Sequence, residues 1–197
     1  MTRTWILFVH VVGVLALFSG LALEWLSLDA VRRCTSRADA VRWVRVNASV
    51  LRMSGIAFAV IVASGFFLGA GLGVLGQVWL RATYAALLIM GIAGGPVTRP
   101  RMRALQQAAK DPNDTSAMAL RAAASHSVLR LSLSIRVLFG LAVVYLMIGK
   151  PAAVESALAL SVATILAVTV AVARRPAPSA WRGPQKEGGT SPAGSSH

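Results

Sequence analysis

Charged residues make up only 14% of this 197-residue sequence, and acids are the scarcest of them, with seven Asp/Glu against twenty Lys/Arg for a net charge of +13. Soluble domains average about 25% charged residues, so this chain has too few to cover a water-facing surface. A disordered or nucleic-acid-binding chain can carry such an excess of positive charge. It does not combine that excess with 56% hydrophobic residues and a mean hydropathy of +0.66. The single cysteine, Cys34, excludes an intramolecular disulfide and any zinc site built from several thiolates. It lies among Arg32, Arg33 and Arg37, where positive charge can activate a thiol; the plainer reading is an ordinary reduced loop cysteine. Alternating apolar and polar runs are missing too, which excludes a membrane β-barrel.

What the sequence has is five apolar runs of about the length, roughly 20 residues, that a helix needs to cross a hydrocarbon core of about 30 Å. They cover about residues 5–28, 51–75, 78–95, 131–149 and 152–173. The expected fold is all-α, a polytopic membrane bundle over residues 1–174 followed by a disordered, basic, Pro/Gly/Ser-rich tail over 175–197. Seventeen of the twenty basic residues fall in the first and second long connections, just inside the adjoining spans, and in the tail. Only Arg3, Arg81 and Lys150 fall on the other side. The positive-inside rule then places the N-terminus outside and the C-terminus in the cytoplasm. The first run is expected to stay as a helix and not to act as a cleaved signal, because the heavier positive cluster follows it.

The connections have their own signals. Between the first two spans, the stretch around Trp43 reads as a short amphipathic piece lying on the inner surface. After the third span, Gly94-Gly95-Pro96 reads as a helix terminator and not a phosphate loop, since no Lys-Ser/Thr follows. A helix over about 101–110, a turn at Asp111-Pro112-Asn113-Asp114 and a second helix from near Thr115 into span four are expected next. The loop arginines are expected to bind the lipid bilayer through anionic headgroups at the cytoplasmic face, and no nucleic acid.

Few residues could carry chemistry. His10, Gly13, Leu17, Gly20 and Glu24 share one face of the first helix at about 100° per residue, so that face should meet protein. His10 could hydrogen-bond to another helix, or hold haem or a metal. His126 is expected at the opposite membrane face, so the two cannot clamp one haem. Glu24 and Arg136 stand at the same membrane side; they either pair or Arg136 snorkels to lipid phosphate. Arg81, Lys150 and Glu155 gather at the outer face as an exposed interfacial cluster. Gly65, Gly69 and Gly73 form overlapping small-xxx-small motifs for close helix packing, within the monomer or in a homo-oligomer.

Phe8-Val9-His10-Val11-Val12-Gly13-Val14, Arg101-Met102-Arg103 and Val143-Val144-Tyr145-Leu146-Met147-Ile148-Gly149-Lys150-Pro151 resemble, in that order, a bacterial family of predicted integral membrane proteins known as domain of unknown function 2269. The resemblance implies a small helical bundle in the inner membrane and brings no activity with it. The first helix is also similar in style to copper resistance protein D and to the haem-linked membrane protoporphyrinogen oxidase, although the aromatic-Leu-Pro-Arg run of the latter is missing. The sequence therefore leaves two expectations: a non-enzymatic permease component or membrane-complex subunit, and a haem- or metal-binding redox protein using His10.

Overall fold

The computed structural model describes residues 2–110, 120, 123–125 and 127–173. Every described element is a helix: α1 (Thr2–Arg33), α2 (Arg37–Gly71), α3 (Val78–Ile92), a π-helical segment (Ala93–Thr98), α4 (Arg99–Lys110), α5 (Ser127–Gly149) and α6 (Ala153–Ala173). Five helices are long and apolar enough to cross a membrane, with α3 to α4 counting as one rod. Between 22% and 39% of each apolar window is buried inside the bundle, so most of each window faces outward. Phe8, Ile56, Phe67, Leu88, Ile148 and Ile165 are all more than half exposed. A surface of that kind is stable against lipid and not against water.

The first connection is much shorter than the sequence suggests. Only Cys34, Thr35 and Ser36 separate α1 from α2, and the stretch expected as a loop with an amphipathic piece is the first four turns of α2. Ser36 caps that helix, its hydroxyl accepting from the Ala38 amide at 3.2 Å, and Asp39 sits in the positive first turn. Buried Ala40, Val44, Asn47, Val50, Ser54, Ala57, Ile61 and Ser64 then recur every three or four residues. They meet the α1 face that carries Gly13, Leu17, Gly20, Glu24 and Leu28. Trp43 is half-buried against this core, not laid on a surface.

Gly94-Gly95-Pro96 does not end a helix. Pro96 lacks an amide hydrogen and would break an α-ladder, but the chain widens here into π turns and continues to Lys110. The Thr98 and Ser132 hydroxyls, hydrogen-bonded to each other at 2.6 Å, lie 2.8 and 2.7 Å from the Ala93 carbonyl, which accepts from this pair and fastens the segment to α5. At about 1.5 Å per residue, α1, α2 and the α3–α4 rod are each about 48 to 52 Å long, well beyond a 30 Å core. Their surplus gathers at one end of the bundle, with the α1–α2 turn and α4; that end is called the basic end below. There Arg32 reaches across to the Ala124 carbonyl through Nε and Nη2, at 3.1 and 3.0 Å, and Leu120 and Ala124 are fully buried. The expected turn at 111–114, the helix start near Thr115, His126 and the tail from 174 lie outside the described residues.

Candidate functional site

The polar interior is concentrated toward the basic end. Glu24 is about 33 Å along α1 from Thr2, and Arg136 about 20 Å along α5 from Gly149. Their side chains meet end-on, Arg136 Nη1 donating to Glu24 Oε2 at 2.7 Å and Nη2 to Oε1 at 2.5 Å. With side-chain exposures of 7% and 1%, this is a buried, bidentate pair. Gly94 makes it reachable: a methyl there would stand 3.2 Å from Arg136 Cδ, so the missing side chain leaves the lane through which the arginine stem passes. One turn on, Asn47 Nδ2 donates to Ser27 Oγ at 2.7 Å, and Ser27 Oγ donates to the Glu24 carbonyl at 3.0 Å. These bonds extend the seam between α1 and α2.

Three polar atoms near the pair have no hydrogen bond, the Oδ1 of Asn47 and two that share a cavity. The Nε–H of Arg136 and the hydroxyl of Ser54 are buried without a hydrogen bond, and both residues line a cavity of about 220 Å³. Leu17, Leu21, Phe58 and Met90 supply its apolar wall, and Gly91, Gly94 and Gly95 its backbone wall. Arg99 stands at its mouth, with Nη2 3.5 Å from where a Cβ on Gly55 would be. The Ser54 hydroxyl rests against Gly20, whose missing side chain provides the space. Among the described residues no acid other than the paired Glu24 adjoins this site, so an anion is the ligand its donors suit.

Nearer the other end, His10 Nδ1 lies 3.0 Å from Ser64 Oγ. The Ser64 hydroxyl donates to the Val60 carbonyl at 2.5 Å. It therefore accepts from His10, which puts the proton on Nδ1 and leaves Nε2 with a lone pair. The His10 ring covers Gly65, and a second cavity, about 230 Å³, is lined by His10, Tyr84 and Met147 among aliphatic side chains. The Tyr84 hydroxyl is buried without a partner. That volume lies below the ~300 Å³ at which pockets begin to bury a drug-sized ligand. Among the described residues, no group of three His, Cys, Asp or Glu gathers in metal-binding array.

The glycines of span two divide. Gly65 packs on His10 and Gly69 on Leu75 and Leu80, all within the chain. Gly73 packs on nothing among the described residues: it lies past the end of α2, in the turn, with φ +68° and open space where a Cβ would point. Arg81, Lys150 and Glu155 are exposed, and no ion pair joins them among the described residues. Ser27, Asn47, Ser54, Thr98, Ser132 and the mouth position of Arg99 were not singled out by sequence reasoning. The signal that could have found four of them is a small polar residue breaking an apolar stripe at three-to-four spacing, as Asn47 and Ser54 do on α2 and Ser132 does beside Arg136.

The fold and this interior define a multi-pass, all-helical membrane protein. Comparison with family models, curated proteins and solved structures finds no match for the chain.

Proposed function

We propose that the chain is a non-enzymatic inner-membrane protein of bacterial type, related to domain of unknown function 2269. In this reading it acts as the solute-binding component of a small-anion permease, alone or as a subunit of a membrane complex. The basic end faces the cytoplasm, in keeping with the seventeen basic residues assigned to that side by the sequence. The observation that carries the reading is the unpartnered Nε–H of Arg136 on a cavity beside the buried pair. A buried donor without an acceptor costs about 1–3 kcal/mol, and an arriving anion recovers that cost. Leu17 and Met90 wall the cavity on the side away from the basic end, and buried Leu87 and Phe139 belong to the same core; in the proposed orientation that side faces outward.

The test is flux through proteoliposomes loaded with potassium chloride or potassium phosphate and clamped with valinomycin. Anion release above protein-free vesicles is expected for the native chain, falling at least tenfold in Arg136→Gln protein that keeps its helical circular dichroism. Release no faster than from empty vesicles for both anions removes the permease reading and leaves that of a complex subunit.

A metal-binding redox protein is the second reading; it rests on His10, which shares a mostly aliphatic cavity with Tyr84 and Met147. Metal analysis and a visible spectrum of detergent-purified protein separate the two. Stoichiometric copper or iron lost in His10→Ala favours the second.

A further inference from the structure

A groove of about 790 Å³ runs between α2 and α4 on the side of the bundle away from α5 and α6, and joins the anion cavity at Leu51, Gly55 and Arg99. Arg45, Arg52, Arg99, Arg103 and Lys110 rim it, Val44, Leu51, Ile56 and Met102 form its floor, and none of its lining residues is acidic. With no acid among the described lining residues, five cations here repel one another, so the groove calls for an anion. Helix lengths fix its level. Arg99 is 21 residues from the start of α3 at Val78, and Arg52 is 19 from the end of α2 at Gly71, or about 32 and 29 Å. Two separate helices thus bring these guanidiniums to the same height, one hydrocarbon thickness from the far end of the bundle. That is the height of the phosphates of one leaflet. Below that level Gly55, Ile56 and Ala59 continue the lining, apolar and with Ile56 exposed.

We infer that this groove is a binding site for one anionic, phosphate-headed lipid of the cytoplasmic leaflet, its phosphate held between Arg52 and Arg99 and its acyl chains lying on the Leu51–Ile56 floor. Arginine suits this role because its planar fork can give two hydrogen bonds to one phosphate. A soluble phosphate would use the rim and leave the apolar floor bare; a lipid uses both. The inference rests on the orientation proposed above but not on anion passage.

Native mass spectrometry of delipidated protein in detergent, titrated with short-chain phosphatidylglycerol, phosphatidylcholine and inorganic phosphate, tests it. One phosphatidylglycerol is expected to bind in preference to phosphatidylcholine. Arg52→Gln/Arg99→Gln protein should bind it about thirtyfold more weakly, given the usual contribution of two cations to an anionic surface. Both side chains are exposed, so this variant should keep the native melting temperature. Arg42→Gln, exposed on α2 but outside the groove, serves as the control and should bind as the native chain does. Equal phosphatidylglycerol affinity in the double variant and the native chain overturns the inference. Displacement of the lipid by an equal concentration of inorganic phosphate overturns it in favour of a soluble-anion site. Absence of anion flux in the native chain with lipid binding intact counts against the permease reading alone.

Discussion

Arg136 holds two of its three nitrogens against Glu24 and leaves the third facing a cavity, and this division defines what the residue does. Breaking a buried pair by removing one partner costs about 3–5 kcal/mol, because a charge is left behind, while replacing both by apolar groups of similar size is often nearly neutral. Arg136→Gln and Glu24→Gln should each destabilise by about that amount, and Glu24→Leu/Arg136→Met should regain most of it. Reversible unfolding in mixed micelles measures the cycle; two single losses that simply add would mean the pair is not coupled. Gly20 offers a second test. An alanine there overlaps the Ser54 hydroxyl, so Gly20→Ala should cost about 1–3 kcal/mol as an overpacked contact. Adding Ser54→Ala should return most of the loss in the same assay.

At the scale of elements, the helical hairpin of α1 and α2 is the frame on which the site is built. Its surplus length carries Asn47 and Ser27 past the lipid boundary and holds the groove-lining arginines of α2 in register with α4. The sequence showed where the apolar windows lie, because hydrophobicity over about 20 residues is a strong, local signal. It showed the polar face of α1 as well, since His10, Gly20 and Glu24 repeat at helical spacing. It did not show that α2 starts at Arg37. The charged first turns of α2 resemble a loop when only hydropathy is weighed, and their buried positions, Ala40, Val44 and Asn47, gain meaning only against α1. Pro96 misled for a related reason: whether a proline ends a helix or is absorbed into π turns depends on the Ser132 hydroxyl of another helix. Hydrogen exchange in detergent discriminates directly. Amides over 38–50 should be protected through minutes of labelling while those over 72–77 exchange quickly; equal exchange in both would return the first stretch to a loop.

For the whole molecule, the excess positive charge has a location and a use. Among the described residues most of it lies at one end of the bundle, and part of it rims a groove beside the buried pair, so in the proposed orientation the same residues also shape a site. Neither the groove nor the cavity was legible beforehand, because each is made by residues from helices far apart in the chain, Arg52 with Arg99 and Ser54 with Arg136. The account's central claim is that this cavity opens to the cytoplasm through the basic groove. Gly55 lines both, and a side chain there has room beside Arg99. With Cys34 replaced by serine, Gly55→Cys protein should react with a small, membrane-impermeant methanethiosulfonate in inverted membrane vesicles and not in right-side-out cells, the anionic reagent faster than the cationic one. Labelling from the outside only, or from neither side, would contradict it.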